Sequence, residues 1–107
     1  MSVKTYNKLV RDNIPAIIEA SGAVCETEIL NTADYLRMLD EKLGEELAEY
    51  RRDQNAEELA DLLEVIYACA AARGYSEAEL NAIRAGKADQ RGGFSARILL
   101  KSVTEED

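Results

Sequence analysis

Glu45-Glu46-Leu47-Ala48-Glu49-Tyr50-Arg51-Arg52-Asp53-Gln54-Asn55-Ala56-Glu57-Glu58-Leu59-Ala60-Asp61 is the stretch on which the reading of this chain turns. It holds two acidic pairs, Glu46 with Glu49 and Glu58 with Asp61. Each pair has i,i+3 spacing, which on a helix puts both side chains on one face, roughly 5–6 Å apart at Cβ. Asp53-Gln54-Asn55-Ala56 reads as a break, and so short a connection makes the flanking helices antiparallel neighbours. Closing that hairpin sets Glu49 level with Glu58 and Glu46 level with Asp61. Four carboxylates then converge.

The flanking residues say which way those carboxylates face. Leu36, Leu39, Leu43, Leu47 and Tyr50 recur at three- and four-residue steps, the mark of an amphipathic helix over about 33–52. At about 100° per residue, Glu46 borders this apolar stripe, and Glu49 and Glu45 lie farther round. On the next helix, about 56–73, Glu58 falls between Val65 and Cys69, with Asp61 on the flank. A carboxylate on an apolar face is costly unless it is paired or metal-bound. Clustered carboxylates repel, so either their pKa values rise or a cation neutralises them. An oxygen-only donor set suits a hard ion such as Mg²⁺ or Mn²⁺. Mg²⁺ shares itself readily with phosphate oxygens, which points to a phosphorylated substrate. The plainer alternative is a hairpin of solvated, Glu-rich helices.

Working outward, Asn13-Ile14-Pro15 looks like a helix start capped by Asp12 or Asn13, with Gly22 as its stop. Thr32 is expected to cap the long second helix and Asn55 the third, which ends at Gly74. Ser76 caps a fourth helix over about 77–90, and Glu79 completes a capping box. Residues 24–30 and 94–103 have weak strand character and are expected to pair as a short two-stranded β element, since a lone strand leaves its backbone groups unpaired. The expected fold is therefore mainly α, four helices forming the core with that small β addition. Val65 to Ala72 is apolar on every side, which calls for burial all round. In so small a chain that suggests a second subunit.

The chain has 107 residues, 47% hydrophobic and 32% charged, which fits one folded domain rather than a disordered segment. Its net charge of −8 is uneven. Residues 40–64 carry ten acids and three bases, a local net of −7, whereas 84–101 carry five bases and one acid. An acidic balance disfavours nucleic-acid backbones and anionic membranes as partners. An acidic middle between basic ends suggests a cation site flanked by anion-binding groups; helix-to-helix charge complementarity is the alternative. There is no His, so His-based triads and His-ligated zinc are excluded. Cys25 and Cys69 stand far apart without CxxC partners, which reads most simply as reduced thiols in a cytoplasmic setting, with a single disulfide left open. No apolar run reaches the length of a membrane span, and Met1-Ser2-Val3-Lys4 is not followed by a signal-like apolar region. Glu105-Glu106-Asp107 reads as a frayed, solvating tail.

Two basic elements remain. Lys87 and Arg91 share a helix face just before Gly92-Gly93, where they could hold phosphates or merely answer the helix dipole. Lys8 and Arg11, in Tyr6-Asn7-Lys8-Leu9-Val10-Arg11-Asp12, offer a second cationic pair, or an ordinary arm pinned by Leu9 and Val10.

Glu45-Glu46-x-x-Glu49 followed by Glu58-x-x-Asp61 resembles the EExxE…ExxD signature of the all-α NTP pyrophosphatases, the MazG-like superfamily. That superfamily includes dimeric dUTPases and phosphoribosyl-ATP pyrophosphohydrolase. Tyr6-Asn7-Lys8-Leu9-Val10-Arg11-Asp12-Asn13-Ile14-Pro15 and Lys87…Arg91-Gly92-Gly93-Phe94 look like its short, single-domain house-cleaning branch, so the resemblance spans nearly the whole chain. It implies Mg²⁺-dependent cleavage between the α- and β-phosphates of a nucleoside triphosphate, giving monophosphate and pyrophosphate. By motif position Glu46, Glu49, Glu58 and Asp61 would be metal ligands, and Glu45 a further ligand or a water-orienting base. Lys87 and Arg91, with Lys8 and Arg11, would hold phosphates. Homodimers or homotetramers are implied as well. The break between the acidic motifs is shorter than in many members, which leaves open the nucleobase contacts made from that region elsewhere, and with them the substrate. Phosphoribosyl-ATP hydrolysis, or a non-enzymatic helical binding or assembly module, are the rival readings.

Overall fold

The computed structural model describes residues 2–105 of the chain. The tail expectation at Glu105-Glu106-Asp107 falls mostly outside those residues, as does Met1. Four helices follow in order: α1 (Ile14–Ala20), α2 (Thr32–Asp53), α3 (Ala56–Ala72) and α4 (Glu77–Arg91).

Local sequence accounts for the helix ends. α2 starts where the Asn31 side chain accepts the Asp34 N–H, so Asn31 rather than Thr32 is its cap. Asn55 does the same for α3 through the Glu58 N–H, at 2.9 Å. Ser76 and Glu79 form the expected capping box on α4. α3 ends in a Schellman turn: Gly74, at φ +91°, lets the Tyr75 N–H reach the Ala70 carbonyl and its own N–H reach that of Ala71. Pro15 sits in the first turn of α1, where its missing donor is harmless.

α2 and α3 form the antiparallel hairpin, joined through Gln54 and Asn55. Gln54 adopts the left-handed conformation, φ +52°, and its N–H closes on the Tyr50 carbonyl at 2.7 Å. α4 folds back against α3 alone, and α1 packs against none of the other helices. An apolar cavity of about 330 Å³ lies between α2, α3 and the start of α4, lined by residues that include Leu43, Ile66, Cys69 and Leu80.

The two-stranded β element does not form. Among the described residues there is no strand, and 24–30 and 94–103 run as irregular chain. The alternation of 24–30 buries nothing, for Val24 and Ile29 are each at least 95% exposed. The second segment is broken by a turn in which the Arg97 N–H bonds the Phe94 carbonyl and Arg97 takes φ +62°. Neither segment has a sheet to join, and a pair of edge strands alone is marginal in water.

The packing of one chain is incomplete. Among the described residues only Leu39, Val65 and Ala70 form a buried apolar core. Leu59, Leu63 and Ile66, spaced to share one face of α3, stay exposed, as does Leu47 on α2. The radius of gyration is 19.1 Å and the longest dimension 69 Å; a compact chain of this length would have a radius near ~13 Å.

A carboxylate cluster at the helical hairpin

The hairpin places its acids as two overlapping triads. Ligand oxygens of Glu45, Glu46 and Glu49 lie within 4.8 Å of one another, and so do those of Glu46, Glu58 and Asp61. Glu46 belongs to both. It is the one buried polar residue among those described, at 7% exposure. Its position on the border of the α2 stripe turns it toward α3 instead of water. Glu58 is placed by the cap of α3: Asn55 holds its N–H, which fixes Glu58 in the first turn, beside the end of α2. Glu46 and Asp61 meet in one triad, as the hairpin register requires, and Glu49 shares the other with its helix neighbours Glu45 and Glu46.

Two carboxylate oxygens in the cluster, Glu46 Oε2 and Glu58 Oε2, are buried and make no hydrogen bond. A buried acceptor left unpaired costs free energy, on the order of 1–3 kcal/mol. Burial accordingly pushes the Glu46 carboxyl above its ordinary range, and neighbouring Glu49 adds to the shift; Lys42 opposes both.

Three cations meet the same cluster. Lys42, on α2, lies 3.3 Å from both Glu45 Oε1 and Glu46 Oε1. The other two come from the chain before α1. Lys8 Nζ is 2.9 Å from Glu45 Oε1, and an Arg11 guanidinium nitrogen is 2.7 Å from Asp61 Oδ1. These contacts lay the arm across both helices of the hairpin. Burial pushes the Glu45 carboxyl up, but its hydrogen bond from Lys8 and its contacts with Lys42 overcome that, and it ends below the usual glutamate value. The same hydrogen bond raises the Lys8 ammonium.

The structure thus brings together seven of the residues singled out by sequence: Glu45, Glu46, Glu49, Glu58, Asp61, Lys8 and Arg11. It does not bring Lys87 and Arg91 to them. Both are exposed on the last turns of α4, and among the described residues no hydrogen bond or ion pair joins them to the carboxylates. Lys42 is the residue that sequence reasoning missed. The signal was present, because Lys42 stands at i,i+3 to Glu45 and i,i+4 to Glu46. Cys25 and Cys69 are both free, and no helix among those described is long and apolar enough to cross a membrane.

The donor chemistry fits a hard divalent cation. All donors are oxygens, and the two unpartnered carboxylate oxygens are groups that such an ion satisfies. No family model, curated protein or solved structure matches the chain.

Proposed function

We propose that this chain is a Mg²⁺-dependent nucleoside triphosphate pyrophosphohydrolase of the MazG-like type, cleaving the α–β phosphate bond to release a monophosphate and pyrophosphate. Clearance of noncanonical nucleotides in the cytoplasm is the role this reading suggests. The observation that carries it is the buried Glu46, with an unpartnered oxygen, set within ligand distance of Glu58 and Asp61.

Glu46, Glu58 and Asp61 would hold the Mg²⁺, with Glu49 and Glu45 beside them; Mn²⁺ suits the same donors. Held there, the ion would supply charge neutralisation at phosphate oxygens. The chain's own residues supply the rest. With no His in the sequence, a carboxylate must orient the attacking water and take its proton. Glu45, held by Lys8 and Lys42, is a weak acceptor until Lys8 turns away. Lys8 and Arg11 adjoin the carboxylates and can turn to phosphate oxygens, where Arg11 can engage two at once. Lys87 and Arg91 suit the same role in an oligomer, where α4 of one copy can approach the carboxylates of another.

A homodimer or homotetramer is part of this reading. The exposed Leu59, Leu63 and Ile66 stripe and the extended shape are what a chain shows when part of its core comes from a second copy.

The test is pyrophosphate release with Mg²⁺ from a panel of canonical and damaged nucleoside triphosphates, with phosphoribosyl-ATP alongside. Release from at least one triphosphate, abolished by chelation, is the expected result. Release from phosphoribosyl-ATP alone would move the assignment to that hydrolase. Inactivity of a folded, metal-loaded sample on the whole panel would leave a helical assembly module.

A further inference from the structure

The two triads are not equivalent, and the difference lies in which cations already touch them. Glu45 Oε1 receives two ammonium groups, Lys8 at 2.9 Å and Lys42 at 3.3 Å, and Lys42 also reaches Glu46 Oε1. The Glu45, Glu46 and Glu49 triad therefore already has a pair of cations on its oxygens. The Glu46, Glu58 and Asp61 triad has Arg11 on a single oxygen of Asp61 and shares Lys42 through Glu46 Oε1, and among the described residues no cation pairs with Glu58. Of the two unpartnered buried oxygens, Glu58 Oε2 belongs to this second triad alone and Glu46 Oε2 to both. Charge leads the same way. Five carboxylates facing Lys8, Lys42 and Arg11 leave two negative charges, which a single divalent ion balances.

Of the two ammonium groups, Lys42 is fixed, at 16% side-chain exposure on the helix that carries its partners. Lys8 is 40% exposed and sits on an arm without regular secondary structure. It can leave without disturbing a helix.

We propose that Lys8 is a built-in counter-ion standing in for a second divalent cation. The resting protein takes one ion, at Glu46, Glu58 and Asp61. The position at Glu45, Glu46 and Glu49 opens to a second ion only when Lys8 is removed or drawn away by an anion. Lys8 thereby makes the second ion conditional on substrate, since a polyphosphate chain is the anion that would draw it off. This inference rests on the metal-site reading above.

The experiment counts Mn²⁺ bound per chain, by calorimetry and by electron paramagnetic resonance of free Mn²⁺, with no nucleotide present. Helicity by circular dichroism confirms folding of each sample. Wild type is expected to bind one ion per chain, Lys8→Met two, and Lys8→Arg, which restores the cation, one. Two ions on wild type, or one on Lys8→Met, overturns the inference and leaves the metal site standing. No binding to folded wild type at millimolar Mn²⁺ overturns both.

Discussion

Glu46 is the residue whose burial costs this molecule stability. It is buried, negative when ionised, and its Oε2 has no partner. Replacing it with Gln removes the charge and supplies an amide that can donate to neighbouring carboxylates such as Glu58, while the remaining oxygen can still accept from Lys42. In chelator, Glu46→Gln is expected to stabilise the protein by about 1 kcal/mol at pH 8, which for a domain of this size is about 4–8 °C in the melting midpoint. The sign with pH follows from the raised carboxyl. The native state holds a proton that the unfolded chain has released, so this group favours folding below its ordinary value of 4.5 and ceases to do so as pH rises through its folded value. The advantage of the variant should therefore shrink toward zero as pH falls to about 4.5, measured as the difference between the two melting curves. The ion pairs of Glu45 and Lys8 are common to both proteins and cancel. Glu46 and Glu58 were legible from sequence because helical periodicity alone puts them against apolar neighbours. The destinations of Lys8 and Arg11 were not, since their partners lie 37 and 50 residues away and no local rule reaches so far.

At the scale of elements, most caps and stops were legible from local signals, but the α2 cap falls on Asn31 and not Thr32, and Asn13 makes no side-chain capping bond to α1. Asn55, Ser76 with Glu79, and Gly74 each act within one turn of their own position. The β element was not, because a strand exists only if a partner does, and pairing is a tertiary fact that alternation over a few residues cannot carry. The turn between α2 and α3 holds a residual strain. Gln54 occupies left-handed backbone, which is disfavoured by roughly 1–2 kcal/mol for a residue with a Cβ. Gln54→Gly relieves it while adding some freedom to the unfolded chain, for a net stabilisation of about 0.5–1 kcal/mol. A rise in the urea midpoint without a change in slope would show it. The same change leaves the carboxylates untouched, so metal affinity should stay as in wild type.

The whole molecule is the scale at which one chain falls short. A hairpin with a bent-back fourth helix leaves Leu59, Leu63 and Ile66 in water, and the chain extends to 69 Å. The all-apolar run of α3 announced a second surface to cover, and a single copy covers only part of it, through Val65 and Ala70. Sedimentation equilibrium should give a mass of at least two chains, against 11.8 kDa for one. Leu63→Glu places a charge in the middle of the exposed stripe and is expected to shift that mass toward the single chain at micromolar concentration. The melting midpoint of wild type should rise with protein concentration, and that of the variant should lose this dependence. A monomeric wild type would show that the stripe is covered by something other than a second copy.

The proposed activity requires a divalent ion that Glu46, Glu58 and Asp61 would hold between α2 and α3. The most direct measurement is Mg²⁺ binding by calorimetry, on wild type and on the Glu58→Gln, Asp61→Asn double variant. That variant keeps the size of both side chains, removes their charge and replaces one acceptor oxygen of each by an amide donor. Wild type is expected to bind Mg²⁺ and the double variant to lose at least about tenfold in affinity, or about 1.4 kcal/mol. Equal binding by the two proteins would contradict the account.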